Sequence, residues 1–168
     1  FALLAYYMLE VRGERGPIVR TLSTTAMVDV MGAKYGVPVY ETGVGMKYVS
    51  PKMLETDAML GGEESGGFAF RGLPERDGLM VSLALLDLML ETRRTPSQLI
   101  QDIYRVVGAV WHYDRVDVRF AAADRDAIVA RLRGASPPEL AGLPVTRTDD
   151  SDGFKYYFPD NGWLLLRF

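Results

Sequence analysis

The sequence predicts an α/β protein, in which a layered α/β unit precedes a truncated α+β unit with an antiparallel sheet. Over residues 1–108, helical apolar patterns alternate with short apolar runs, as in helices packed on a sheet. Over residues 109–168, strict apolar–polar alternation and a hairpin signature are present instead. All eight Met residues precede position 90 and both Trp residues follow position 110, which supports a division near Gly108.

Each element of the first unit has a recognisable start or stop. The apolar spacing of residues 1–12 predicts a helix that Gly13 ends, and the hydroxyl cluster 23–25 precedes a second helix that Gly36 ends. Pro51 predicts the first turn of a third helix. Residues 77–93 are apolar enough to predict a well-buried helix, and a last helix begins at Thr95-Pro96. Short strands are predicted at residues 17–20, 37–40, 58–60 and 66–70.

The second unit has a different pattern. Residues 110–120 alternate between apolar and charged side chains, which predicts a half-buried strand in a sheet with one wet face. Residues 122–133 predict an amphipathic helix. Residues 154–158 and 163–168 predict a hairpin with an Asn161-Gly162 turn signal. Because the sequence starts without Met and stops inside an apolar strand, we expect it to be an internal piece of a longer protein with an incomplete second sheet.

The composition is that of a globular protein and restricts its partners. Among 168 residues, 22 are acidic and 19 basic, so no strongly basic nucleic-acid surface is expected. The apolar stretch 1–9 is far shorter than the roughly 20 residues that span a membrane. Cysteine is absent, which excludes disulfides, thiolate zinc sites and Cys nucleophiles and is compatible with a reducing compartment. We expect a cytoplasmic protein with neither a nucleic-acid nor a membrane partner; the oligomeric state is unknown.

The strongest candidate site is the glycine-rich segment 61–67, which follows a predicted strand. Paired glycines flank the carboxylates of Glu63 and Glu64 and the hydroxyl of Ser65. Ionised carboxylates accept hydrogen bonds and a hydroxyl can also donate, so this group suits the adjacent hydroxyls of a sugar. The alternative is a tight glycine turn with two solvated glutamates.

Three cations are weaker candidates. Lys47 ends the glycine-containing segment 42–47 after another strand, where it either supplies a point charge to a ligand or lies on a flexible turn. This segment lacks the Walker and dinucleotide-binding spacings. Arg20 and Arg167 each lie near the end of an apolar strand, where a long cation can reach an anion or simply face water.

Taken together, these segments resemble the α-D-phosphohexomutase family, in its phosphoglucomutase/phosphomannomutase branch. The resemblance covers essentially the whole chain, and the Gly-Glu-Glu-Ser-Gly-Gly element is its most specific part. It implies the third domain, an α/β/α layered domain with a mixed sheet, plus most of the fourth, an α+β domain. The matching segments are 19–21, 42–47, 62–67, 70–78 and 165–168.

The resemblance also implies roles for individual residues. Glu63 and Ser65 would hydrogen-bond the O3 and O4 hydroxyls of the hexose, and Arg20 and Lys47 would hold its distal phosphate. Arg167 matches the first residue of the family's phosphate loop, whose continuation is absent here. The glucosamine-phosphate branch usually has Gln at the position of Glu64 and His at that of Gly67, so glucose or mannose is the expected hexose.

The activity implied by this resemblance belongs to the full-length enzyme. Family members transfer a phosphoryl group through a phosphoserine enzyme and a hexose bisphosphate, with Mg²⁺ bound by ligands outside this chain. We therefore expect no catalytic and no metal-binding residue among these 168 and no turnover by them alone. The alternative is a non-catalytic module that binds carbohydrate phosphates or proteins.

Overall fold

The computed structural model describes residues 1–168 and contains two compact units, Phe1–Trp111 and His112–Phe168. The first unit is built on a mixed four-stranded sheet. Its strands are β1 (Ile18–Thr21), β2 (Val39–Thr42), β3 (Leu60–Gly62) and β4 (Phe68–Phe70). They lie in the order β2-β1-β3-β4. Strands β1, β2 and β3 are parallel, and β4 runs antiparallel to β3.

Five helices of the first unit cover both faces of this sheet. The helices are α1 (Ala2–Tyr6, continued by a π-helical turn Tyr7–Val11), α2 (Met27–Tyr35), α3 (Met46–Thr56), α4 (Gly78–Thr92) and α5 (Pro96–Val107). Side chains of α1, α2, α4 and α5 pack with Ile18 and Leu60 in one apolar core. Val49 and Met53 of α3 pack with Val19 in the other. Successive strand residues point to opposite faces, so this arrangement confirms the expected α/β/α layers.

Two details of the first unit differ from the sequence predictions. Helix α3 begins at Met46, not at Pro51, because Gly45, with φ of 126°, turns the chain into the helix one turn earlier. Helix α4 is not well buried, since only Val81 and Leu88 are inaccessible. Its apolar sequence therefore covers an exposed face as well as a buried one. The exposed large side chains of α4 are Leu79, Met80, Leu83, Leu86 and Leu90.

The second unit contains antiparallel sheets and one main helix. A single 3₁₀ turn (Ala122–Asp124) leads into α6 (Arg125–Arg133). A two-stranded sheet joins β5 (Glu139–Leu140) to β6 (Leu143–Pro144). A three-stranded sheet consists of β7 (Arg147–Asp149), β8 (Phe154–Tyr157) and β9 (Trp163–Leu166), with β8 in the middle.

The hairpin β8–β9 is present, but its turn is not the predicted one. The register places Tyr157 opposite Trp163, and a short 3₁₀ turn spans Pro159–Asn161. Positive φ angles occur at Asp160 and Asn161, not at Gly162. Residues 158–162 connect the two strands, one residue more than the predicted connection 159–162.

The strand predicted at 110–120 is wrong. This segment has no regular structure, and Val116 and Val118 are exposed by 80% and 73%. A strand needs a hydrogen-bonded neighbour, and β7, β8 and β9 pair only among themselves. The alternating pattern alone therefore did not produce a strand. None of the helices in either unit combines the length and the apolarity needed to cross a bilayer.

Candidate functional site

The candidate residues of the first unit lie at one edge of its sheet: Glu63 and Ser65 on a loop, Arg20 near the end of β1 and Lys47 at the start of α3. The parallel register aligns Arg20 with Glu41 on one side and with Gly62 on the other. Segments 22–25, 43–47 and 63–67 therefore leave the sheet at the same carboxyl edge. In a sheet with strand order 2-1-3, the switch point lies between the first and third strands, where ligands bind in α/β folds.

Glu63 is the first residue after β3 and is only 6% exposed. Its side chain has no hydrogen bond or ion pair within the protein. Trp111 Nε1 is the only fully buried side-chain polar atom without a partner, so the Glu63 carboxylate oxygens keep contact with solvent. A recessed carboxylate that no protein group satisfies can accept hydrogen bonds from a ligand's hydroxyl groups.

Gly67 and Arg76 enclose the Glu63 carboxylate. The Glu63 amide donates to the Gly67 carbonyl at 3.0 Å, which closes the loop. A Cβ on Gly67 would lie 2.8 Å from Glu63 Oε2 and 2.6 Å from Arg76 Cδ. The stem of Arg76 thus packs over Gly67, and no carboxylate pairs with its exposed guanidinium. Arg76 is not among the predicted site residues, because it lies nine residues beyond the loop on another segment.

Glu64 turns away from Glu63 and binds the loop after β1. Its Oε2 accepts hydrogen bonds from Ser23 Oγ at 2.5 Å and from Thr21 Oγ1 at 3.3 Å. Thr21 Oγ1 also lies 2.8 Å from Thr24 Oγ1. The adjacent glutamates of the loop therefore have different roles. The hydroxyl cluster before α2 had been interpreted only as a helix cap, so its contact with Glu64 was missed.

Ser65 and Lys47 are the other candidates at this edge. Ser65 is exposed, and its hydroxyl makes no hydrogen bond within the protein. Lys47 lies in the first turn of α3, with Nζ 4.8 Å from the centre of the Tyr48 ring. No carboxylate pairs with this ammonium group. Both side chains are therefore free to contact a ligand.

Arg20 is engaged by carboxylates of the protein. Its Nε and Nη2 donate to the two Asp29 oxygens at 2.7 and 2.9 Å, and Nη1 donates to Glu41 at 2.6 Å. Burial alone would lower the pKa of Arg20, but the bonds and charges of Asp29 and Glu41 outweigh it and raise that pKa. The guanidinium joins the ends of β1 and β2 to α2. A phosphate contact by Arg20 stays a prediction, because the guanidinium already binds Asp29 and Glu41.

Arg167 belongs to the second unit. It follows β9, and its Nη2 donates to Asp152 Oδ1 at 3.2 Å. A shallow cavity of about 160 Å³ beside it is also lined by Arg125 and Arg133 of α6 and by Asp150. The phosphate contact of Arg167 likewise stays a prediction.

No group of three or more His, Cys, Asp or Glu side chains in the structure could hold a metal ion. The chemistry available at the carboxyl edge is recognition: one recessed acceptor, one free hydroxyl and two cations without carboxylate partners.

The chain is similar to known proteins over almost its whole length. The family model described as phosphoglucomutase/phosphomannomutase, alpha/beta/alpha domain III, matches residues 1–107. A phosphoglucomutase/phosphomannomutase of Thermococcus kodakarensis is 32% identical over 99% of the chain, which covers 34% of that relative. Phosphoglucomutase 1 of Drosophila melanogaster is 26% identical over 94% of the chain, which covers 30% of that relative. The chain thus spans about a third of the length of these relatives.

Solved structures show the same fold. A crystal structure of a phosphomannomutase from Thermus thermophilus superposes with a TM-score of 0.80 at 32% identity, over 99% of this chain and 33% of that one. A phosphoglucomutase/phosphomannomutase family protein from Burkholderia thailandensis has a TM-score of 0.73 at 23% identity, over 99% of this chain and 34% of that one. The second likeness concerns the fold alone.

Proposed function

Because the chain belongs to the phosphoglucomutase/phosphomannomutase family, we propose that it is the substrate-binding part of a phosphohexomutase. The enzyme would interconvert hexose 1-phosphate and hexose 6-phosphate, with glucose, mannose or both as the hexose. One observation supports this most strongly: the recessed carboxylate of Glu63 has no protein donor and lies at the carboxyl edge of the sheet.

The chemistry of a mutase explains why such an acceptor is useful. The enzyme must hold its hexose with either end toward the phosphoryl donor, because phosphate moves between the first and sixth carbons. O3 and O4 lie near the middle of the sugar, so the same contacts serve both orientations. We propose that Glu63 accepts hydrogen bonds from these hydroxyls and that Ser65, which can donate or accept, completes the contact.

The cations of this edge suit the charge of a sugar phosphate. Lys47 and Arg76 have no carboxylate partners, so a phosphate group could bind them without breaking an ion pair. We propose that Lys47 contacts the distal phosphate directly, and that Arg76 adds positive charge beside Glu63. We also propose that Arg20 contacts the phosphate, although its guanidinium is already paired with Asp29 and Glu41. Arg167 is proposed as a phosphate contact of the second unit.

The phosphoryl transfer itself would use groups that this chain does not hold. We propose a phosphoserine enzyme and a bisphosphorylated sugar intermediate, with the serine and the magnesium ligands outside these 168 residues, in a cytoplasmic protein. The residues present here bind and orient the sugar. We therefore expect the purified chain to bind hexose phosphates without mutase turnover, and measurable turnover by it would contradict this part of the proposal.

Calorimetric titration with glucose 1-phosphate and glucose 6-phosphate tests the binding role. Glu63→Ala should weaken both complexes by about 1.5–3 kcal/mol, roughly ten- to 150-fold, because charge-assisted hydrogen bonds are lost. Glu63→Gln should lose less, since one acceptor oxygen remains. Glu55→Gln, an exposed position on α3 that pairs with Lys52, is the matched control. Unchanged titration by Glu63→Ala would remove Glu63 from the site, and a wild-type chain that binds neither sugar phosphate would contradict the function.

A further inference from the structure

Glu64 and the hydroxyl cluster before α2 form a contact that sugar recognition by Glu63 and Ser65 does not explain. Glu64 is exposed, yet one of its carboxylate oxygens accepts hydrogen bonds from Ser23 and Thr21. These partners lie 41 and 43 residues earlier in the sequence, Thr21 at the end of the neighbouring strand β1 and Ser23 on the loop that follows it. The contact therefore ties together the two loops that flank the switch point of the sheet.

The hydroxyl groups need this acceptor. Thr21, Ser23 and Thr24 are all buried, and Thr21 Oγ1 lies within hydrogen-bond distance of the other two hydroxyls, at 3.2 Å from Ser23 and 2.8 Å from Thr24. A chain of three hydroxyls has three protons to place, and a buried proton without an acceptor is costly. The Glu64 carboxylate supplies the acceptor at the open end of the cluster.

The loop has few other restraints. Within segment 63–67, the backbone bonds are Glu63 N–H to Gly67 O at 3.0 Å and Gly66 N–H to Glu63 O at 3.4 Å. Gly66 has a φ of 94°, in the region that glycine enters freely, and Ser65 has no partner. The two hydrogen bonds that the Glu64 carboxylate accepts are the only side-chain hydrogen bonds between this loop and the rest of the sheet edge.

We propose that Glu64 is a positioning residue, held by Ser23 and Thr21, that sets the orientation of the loop carrying Glu63 and Ser65. This inference rests on the proposed function for the identity of the ligand, but not for the loop restraint itself. Glu64 itself makes no contact with the sugar. Glu64 orders the loop in the unbound chain, so the flexible glycines lose less conformational entropy when the ligand binds.

The restraint can be measured without a ligand. Amide hydrogen exchange at Glu63 and Gly66 in the free chain should accelerate roughly tenfold in Glu64→Ala and in Ser23→Ala. The double variant Glu64→Ala/Ser23→Ala should exchange no faster than Glu64→Ala alone, because Glu64→Ala already removes the bond from Ser23. Glu64→Gln keeps an acceptor oxygen and should restore slow exchange, while Glu55→Ala should leave it unchanged. Unaltered exchange in both single variants would overturn the proposal.

Titration with glucose 6-phosphate then tests positioning. Affinity should fall roughly fivefold to tenfold in Glu64→Ala and recover in Glu64→Gln, with the thermal midpoint of the chain nearly constant. Faster exchange with full affinity would show that the restraint does not position the sugar contacts and would overturn that role. If the wild-type chain binds no hexose phosphate, the proposed function fails, and the exchange data alone then decide whether Glu64 holds the loop.

Discussion

The Glu63 carboxylate occupies the space into which a side chain on Gly67 would extend. A Cβ there would lie 2.8 Å from Glu63 Oε2 and 2.6 Å from Arg76 Cδ, although Gly67 itself has an ordinary φ. Glu63 Oε2 is the end of a flexible side chain, and Arg76 Cδ belongs to the flexible stem of an exposed arginine, so both can move aside at low cost to folding. The absence of a side chain at Gly67 therefore determines where the acceptor and a cation of the site lie.

Gly67→Ala should consequently reduce hexose phosphate affinity about tenfold or more while leaving stability nearly unchanged. The reason is that Glu63 and Arg76 must both shift by a fraction of an ångström or more, which misplaces hydrogen bonds in the complex. Calorimetric titration and thermal unfolding measure the two effects. Gly78→Ala is the control, because a Cβ at Gly78 meets no atom within 4 Å. Full affinity in Gly67→Ala would show that the observed side-chain positions are not those used for binding.

Arg20→Met should destabilise the first unit by about 2–4 kcal/mol. It would leave the carboxylates of Asp29 and Glu41 without their partner, and breaking a buried ion pair from one side is strongly destabilising. Both carboxylates keep some solvent contact, which limits the loss. Urea denaturation measures it. Arg71→Met, which removes an exposed ion pair with Asp57 and two exposed hydrogen bonds to its carbonyl, should cost less than Arg20→Met, about 1 kcal/mol. A stable Arg20→Met that has lost sugar phosphate affinity would identify Arg20 as a ligand contact.

Leu88→Ala and Leu86→Ala should differ strongly although both lie on α4. Leu88 is 0% exposed and Leu86 is 52% exposed. Removal of the buried side chain leaves a cavity and should cost about 2–5 kcal/mol. Removal of the exposed one should change the unfolding free energy by about 0.5 kcal/mol or less. The helix propensity change is the same in both variants, so equal losses in urea denaturation would show that the face of Leu86 is covered in solution.

Tyr35 should make the stability depend on pH at high pH. Burial, followed by the hydrogen bond to Glu10 and that residue's charge, raises the pKa of the Tyr35 hydroxyl above its ordinary value of 10.0. Below pH 10 the hydroxyl keeps its proton in both folded and unfolded states, so its contribution to stability is fully present. Above pH 10 the unfolded chain loses the proton first, so stability falls as pH rises toward the folded-state pKa.

Unfolding free energies measured between pH 8 and pH 11 check this dependence. The decrease should be smaller in Tyr35→Phe than in the wild type, and the difference between the two proteins isolates Tyr35 from Tyr6 and Tyr7, whose pKa values are also raised. Parallel curves for wild type and Tyr35→Phe would contradict the raised pKa.

Local sequence signals located most elements of the first unit. Gly36 ends α2 in the left-handed conformation, and Thr95 with Gln98 forms a capping box at the start of α5. Such signals act within one turn, so they can be recognised without knowing the fold. The wrong prediction, the strand at residues 110–120, has a different origin. The alternation of residues 110–120 describes a strand, but a strand also requires a partner, and none pairs with it here.

For the site, the glycine-rich sequence around Glu63 and the position of Lys47 after a strand determined which loops would carry polar groups. Only the tertiary structure decided that Glu64 binds Ser23, that Arg20 is paired with Asp29 and Glu41, and that Arg76 packs over Gly67. The physical reason is that turns and caps depend on neighbouring residues in the chain, whereas these contacts depend on the sheet register, which brings distant segments to one edge.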